Sequence, residues 1–220
     1  MILPRPRPAR ERLEGRYARL EPLGARHAES LYAACAGADN ASRFDYLFEF
    51  PPARIDEIRA WIDGVASADD PLYFAVIDRA SGRCEGRQAL MRITPEHGVI
   101  EVGGIYWGNA IARSRIATEA IYLHAHYVFD TLGYRRFEWK CNDRNAPSKR
   151  AAARFGFTFE GLFRQHMWTK GANRDSAWFA MLDREWPAIR AGFERWLEPG
   201  NFDAAGRQRE RLDTAAALRG

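Results

Sequence analysis

The chain has no apolar run approaching the ~18 residues that a membrane-spanning helix requires, so no such helix is expected. It has no Cys-x-x-Cys pair. Its three cysteines, Cys35, Cys84 and Cys141, are odd in number and widely spaced, which fits a reducing compartment and leaves the cytoplasm as the expected location. Histidine is scarce too. His124 and His126 stand two apart on an expected helix and so point to different faces, which argues against a metal site. The opening Met1-Ile2-Leu3-Pro4-Arg5-Pro6-Arg7-Pro8 lacks the apolar block of a secretory signal and reads as an extended arm over residues 1–9. There is no internal repeat, no long linker and no RNA- or DNA-reading motif. The net charge of +4 is spread from Arg5 to Arg219 rather than drawn into a stripe, so nucleic acid is not an expected partner.

What the sequence does hold is material for a core. With 220 residues, 46% of them hydrophobic, and 7 Trp, 8 Tyr and 13 Phe, it can fold as one packed domain. Arg16 to Leu23 alternates as a first strand does and ends at a proline. Helices are expected over 27–36, with Ala28, Leu31, Tyr32 and Cys35 at helical spacing, and over 54–65, with Ile55, Ile58, Trp61 and Ile62 on one face. Between them, residues 37–50 read as irregular and aromatic. Three strands follow at 72–78, 88–94 and 99–107. The last contains Gly103-Gly104, a pair that suggests a bulge or a close backbone approach.

A helix is expected over 117–132, with Ile121, Ala125, Val128 and Leu132 as its core stripe, Glu119 in its first turn and Gly133 as a left-handed cap. A strand at 134–141, a short helix at 148–155, a hairpin of 157–170 with 174–182, and a helix over 185–197 complete the pattern. The tail from residue 198 shows no core face before Leu212 and Leu218.

The stretch Ile111 to Phe157 organises the rest. It presents two helix N-termini, at Ile111-Ala112-Arg113-Ser114-Arg115-Ile116-Ala117-Thr118 and at Asn145-Ala146-Pro147-Ser148. A helix N-terminus offers unpaired N–H groups and about half a positive charge, a natural seat for phosphate.

Thr118-Glu119-Ala120, Phe129-Asp130-Thr131-Leu132-Gly133-Tyr134-Arg135-Arg136, Asn145-Ala146-Pro147-Ser148 and Phe155-Gly156-Phe157-Thr158-Phe159-Glu160-Gly161 occur in the order and spacing of the GNAT acetyltransferases. The chain resembles that family, and within it the RimJ/RimL-like branch, over roughly residues 10–197. The remainder, 198–220, is left as a tail. The resemblance implies the α/β GNAT acyl-CoA N-acyltransferase fold: a mixed, mostly antiparallel sheet with helices on both faces and splayed central strands. It also implies acetyl-CoA as cofactor, a peptide N-terminus or small amine as acceptor, and a dimer face in the C-terminal hairpin and helix. The aromatic region 37–65 would overlie the acceptor cleft.

Site residues follow from the same resemblance. Main-chain N–H groups of Ala112, Arg113, Ser114, Arg115, Ile116, Ala117 and Thr118 would wrap the pyrophosphate. The family's internal glycine is replaced here by Arg115, and its leading Gln/Arg by Ala112. Any residue but proline still supplies the amide, and Arg113 and Arg115 could add charge-assisted bonds. Backbone donors near Ile105, Tyr106 and Trp107 would meet the oxyanion.

Many relatives place a tyrosine seven residues after the asparagine; that position is Ala152 here. The RimL-like alternative is Ser148, three residues after Asn145 and on the same helix face, donating a proton to the departing sulfur. Both residues would address the cofactor, or they only cap the helix. Glu101 is the candidate base, with Glu160 second. Neutralising an α-amine of pKa 7.7–8.0 near pH 7 costs roughly 1 kcal/mol, against about 4–5 kcal/mol for lysine, so an α-amine or small amine can manage with a weak base. Cys141 reads as a core thiol rather than a nucleophile. A non-catalytic coenzyme A-binding or ribosome-associated module, or another acyl-CoA as donor, stay open as alternatives.

Overall fold

The computed structural model describes residues 2–214 of the chain. Its elements run β1 (Leu13–Glu14), β2 (Ala18–Pro22), α1 (Ala28–Cys35), α2 (Ala38–Ala41), α3 (Ile55–Val65), β3 (Leu72–Asp78), β4 (Cys84–Thr94), β5 (Val99–Trp107), α4 (Arg115–His126), β6 (Arg136–Asn142), α5 (Ala146–Arg154), β7 (Thr158–Thr169), β8 (Ala172–Leu182) and α6 (Trp186–Leu197). The strand order is β1-β2-β3-β4-β5-β6-β8-β7. The pairs β1–β2, β2–β3, β3–β4, β6–β8 and β7–β8 are antiparallel. This is a mixed α/β fold with a mostly antiparallel sheet, the architecture that the GNAT resemblance implies. No helix among the described residues is long and apolar enough to cross a membrane.

The chain divides into two compact units. One takes in Pro8–Ile93 and Val102–Leu123; the other holds Thr94–Glu101 and the chain from His124 onward, with the N-terminal residues up to Arg7. In the first unit the core gathers Leu31, Phe44, Ile62, Ala75, Ile77 and Tyr106. Strand β3 is apolar almost throughout because Leu72 to Ile77 are all buried, as a strand covered on both faces must be. In the second unit an aromatic chain carries the packing. Phe137 meets Phe129 and Phe157, Trp139 meets Phe155 and Phe157, and Phe155 stacks on Phe193 at 6.2 Å.

Several boundaries differ from the sequence reading for local reasons. Residues 37–50 hold α2 and a 3-10 turn at Ser42–Phe44, each too short to show a periodic stripe. Helix α4 begins at Arg115, two residues early, because the Ser114 hydroxyl caps it by accepting the Ile116 N–H at 3.1 Å. Glu119 therefore lies in the second turn, and the dipole is not its main partner. Its buried carboxylate instead accepts the backbone N–H groups of Arg16, Tyr17 and Ala18 at 2.8, 2.6 and 2.6 Å.

Past His126 the helix widens into a π-type turn over Tyr127–Thr131, with Leu132 N–H donating to the Tyr127 carbonyl at 2.9 Å. Gly133 then takes φ +69°, the left-handed conformation its position suggested. The stripe Ile121, Ala125, Val128 and Leu132 is buried as expected.

The N-terminal arm is tied down: Arg5 N–H donates to the Pro95 carbonyl at 3.0 Å. The tail folds back on its own unit. The Trp196 indole donates to Gln208 at 3.0 Å, and Thr214 is buried with its hydroxyl on the Arg154 carbonyl. Leu212 is half-buried there, while Leu218 lies outside the described residues.

Candidate functional site

The loop between β5 and α4 is a tight coil held by its own backbone. Ile111 and Ala112 N–H both donate to the Gly108 carbonyl, Ser114 N–H to Ile111, and Thr118 N–H to Ser114. Three of the expected pyrophosphate donors, Ala112, Ser114 and Thr118, are thus spent inside the turn, and the Ile116 N–H is spent on the Ser114 hydroxyl. The amides of Arg113 and Ala117 make no such bond among the described residues. Arg113 is exposed and sits at φ +60°, a left-handed conformation a non-glycine residue adopts at a cost of about 1–2 kcal/mol. The Arg115 guanidinium lies over the Tyr17 ring, 4.3 Å from its centroid, so it stacks on the turn between β1 and β2.

Strand β5 carries the irregularity that Gly103-Gly104 suggested. Gly104 has φ +56°, and a Cβ on it would come within 2.7 Å of the Tyr73 hydroxyl. Beyond it, the Tyr106 side chain turns into the core and donates its hydroxyl to the Ala34 carbonyl at 2.8 Å. Any contact Tyr106 makes with a cofactor therefore comes from its main chain. Ile105 is half-buried, and the Trp107 indole donates to Gln88 at 3.3 Å.

Beside this bulge stands a residue the sequence reading passed over. Arg87, on β4, is 3% exposed. It donates to the Gly104 carbonyl at 2.7 Å through Nη1 and meets Glu49 at 3.1 Å through Nη2. Its guanidinium lies 4.2 Å from the centroid of the Trp61 ring. An open depression with a cavity volume of about 90 Å³ begins here, walled by Phe44, Phe50, Pro52, Ile58 and Trp61, with Glu49, Glu57, Cys35 and Arg87 also on its lining.

In the other unit, Asn145 and Ser148 come together at the start of α5. The Asn145 side-chain oxygen accepts the Ser148 N–H at 3.0 Å, so Asn145 is the helix cap. The Ser148 hydroxyl accepts the Trp139 indole N–H at 3.0 Å and lies against the Cys141 thiol. Position 152, where a tyrosine was sought, is a buried alanine.

Glu101 lies on β5, within the same unit. Its carboxylate is buried and bonded to the Lys140 ammonium at 3.0 Å; Lys140 also meets Glu138 at 2.7 Å and lies over the Trp178 ring. Arg136, Glu138 and Lys140 alternate along β6, which puts all three on one face and builds a ladder of ion pairs. Glu160, the second candidate base, is bridged to Arg136 at 2.8 and 2.5 Å, and those bonds hold its carboxyl below the usual range.

No cysteine is poised as a nucleophile. Burial pushes the Cys35 thiol up to about 11 and the Cys84 thiol up to about 12, and it raises Cys141 as well. His124 is fully buried and His126 pairs with Asp130 at 3.7 Å; no metal-ligating cluster occurs among the described residues.

The description "Acetyltransferase (GNAT) domain" matches residues 18–158. The chain belongs to the GNAT acetyltransferase family. It is similar to a solved GCN5-related N-acetyltransferase of Brucella melitensis, at 57% identity and TM-score 0.94, with 96% of each chain covered. A probable GNAT acetyltransferase of Chromobacterium violaceum matches at 36% identity and TM-score 0.78, over 83% of this chain and 91% of that one. An uncharacterised N-acetyltransferase p20 of Bacillus licheniformis is 29% identical over 117 residues, 51% of this chain; the match spans 63% of that relative.

Two residues of this GNAT domain were legible only in part. Arg87 stands one residue before the expected strand at 88–94, and β4 also carries Glu85 and Arg92, so its charge did not stand out; a buried charge is retained when it is paired. Trp139 gave no signal, because its indole reaches Ser148 from another element.

Proposed function

We propose that this GNAT domain transfers acetyl from acetyl-CoA to a primary amine by direct attack, with no acyl-enzyme intermediate. The amine nitrogen attacks the thioester carbonyl, the C–S bond breaks, the amine loses a proton and the thiolate gains one. The observation that carries the reading is the hydroxyl of Ser148. It accepts a hydrogen bond from the Trp139 indole and is hydrogen-bonded to the Cys141 thiol, so its proton already faces one sulfur and would turn from it to a departing one. The high thiol pKa values of Cys35 and Cys84 support direct attack over a ping-pong route.

For the cofactor, what supports the loop is narrower than the whole run 111–118. We assign the diphosphate to the Arg113 and Ala117 amides and the positive end of α4. The oxyanion is assigned to main-chain N–H groups of residues 105–107. Glu101 we assign to holding Lys140 in the ion ladder. Its carboxylate already faces an ammonium, and an α-amine needs only roughly 1 kcal/mol of help near pH 7.

The RimJ/RimL-like affiliation and a peptide N-terminus as acceptor belong to this proposal, supported by the spacing of Asn145 and Ser148. A homodimer through the C-terminal hairpin is supported by the exposed Phe159, Phe163 and Trp168 on β7.

Calorimetry with coenzyme A and an assay of thiol release from acetyl-CoA with a panel of amines test the reading. Binding and amine-dependent thiol release are expected. No heat with coenzyme A would end it.

A further inference from the structure

The depression over α3 has a composition that says more about the acceptor than the family does. Its walls are apolar and largely aromatic, while its polar groups gather at Glu49 and Arg87. Arg87 bridges that end to the β5 bulge, with one nitrogen on the Gly104 carbonyl and another on Glu49. The apolar end opens outward at Phe50, which is 72% exposed although it lines a cavity.

Charge decides which end of a ligand belongs where. The lining carries two carboxylates, Glu49 and Glu57, against a single guanidinium. Arg54 stands 3.8 Å from Glu57, on the exposed side of α3. The guanidinium of Arg87 is already engaged by a carbonyl, a carboxylate and the Trp61 face. A ligand carboxylate would meet Glu49 with no uncommitted cation to receive it. Glu49 is itself paired with Arg87, but its side chain is 26% exposed against 4% for Arg87, so an approaching ammonium meets the carboxylate and not the guanidinium. An aliphatic chain studded with further charges would have to desolvate them against phenylalanine.

Resting on the acetyltransferase reading above, the geometry points to this depression as the acceptor subsite for a primary amine with an apolar or aromatic body and no carboxylate. Glu49 receives the ammonium, and Phe44, Phe50, Ile58 and Trp61 receive the body. Arg87 is a positioning residue: it fixes Glu49 and the Gly104 carbonyl to each other, so that the amine end of the ligand lies toward the bulge.

The test uses the full chain and four amines: phenylethylamine, phenylalanine amide, phenylalanine and spermidine. The first two are expected to show kcat/KM at least about tenfold above the last two, the low end of what a single mismatched methylene in an apolar pocket gives. Glu49→Gln is expected to raise KM for phenylethylamine about tenfold while leaving KM for acetyl-CoA unchanged. Phe50→Ala, at an exposed site where folding is not at stake, is expected to erase the preference for phenylethylamine over spermidine. Equal or better turnover of phenylalanine or spermidine overturns the inference and leaves the acetyltransferase reading standing; so does a Phe50→Ala enzyme with its preference intact. If no amine releases thiol, the parent reading fails. Calorimetry of phenylethylamine then decides the pocket: heat lost in Phe50→Ala supports it, and no heat with the wild-type chain overturns it.

Discussion

A hydroxyl that accepts a hydrogen bond from an indole can still donate its own proton, and in Ser148 the Cys141 thiol is the partner within reach before any ligand arrives. The Asn145 cap fixes the backbone of Ser148, and Trp139 fixes its oxygen. Replacing Ser148 by alanine is expected to lower kcat about ten- to a hundredfold, at the low end of general-acid effects because a thiol of pKa about 8.5 leaves with little help. KM for acetyl-CoA should stay within about twofold. Steady-state kinetics check this, and unchanged turnover removes Ser148 from the chemistry. The family resemblance pointed to Ser148, and its spacing from Asn145 adds that residues three apart on a helix share a face. The indole that sets its oxygen was hidden, because contacts between elements leave no mark on local spacing.

Among the elements, β5 departs furthest from regular geometry. Gly104 combines φ +56° with a Tyr73 ring at the place a Cβ would occupy, and its carbonyl is held by Arg87. Gly104→Ala must therefore strain the backbone and displace a core tyrosine together, costing about 3 kcal/mol. A urea melt should show that loss, and a midpoint like wild type would mean the bulge is soft. Strands and long helices could be read from period and composition: β3 and β5 fall on the expected residues, and the buried stripe of α4 does too. Capping and short turns could not. Helix α4 starts early because of one serine hydroxyl, and α2 spans only Ala38–Ala41, a single turn that no periodicity can reveal.

At the scale of the whole molecule, acid is the expected weakness. Burial pushes His124 down to about 3, against 6.5 for a free imidazole. The unfolded chain thus takes up a proton between those values that the folded chain refuses, and stability falls as pH drops from 6.5 toward 3, by at most about 1.4 kcal/mol per unit. Glu21 adds a lower window. Burial alone would push its carboxyl up, but hydrogen bonds from Arg26 and His27 and the charge of Arg19 outweigh that and hold it at about 2. Its contribution is full above 4.5 and is lost as pH falls toward 2. Melting temperature should decline from pH 6.5 downward, and His124→Leu should flatten the part above 4.5 while the Glu21 window persists. A wild-type melt that is level between 6.5 and 4.5 would contradict the burial argument. Family and fold were legible at this scale because motif order survives substitution. The partners of Glu101 and Glu160 were not, since nothing in a linear pattern tells which cation each carboxylate will meet.

The carboxylate of Glu119 makes the edge of the sheet a listener to the cofactor loop. Three amides, at Arg16, Tyr17 and Ala18, end on it, and the same helix lays Arg115 across Tyr17. Those amides can exchange with deuterium only when the first turns of α4 let go. Coenzyme A settling on that loop should slow uptake at residues 16–18, where no ligand atom needs to touch, and unchanged uptake on saturation would mean that the clamp does not transmit.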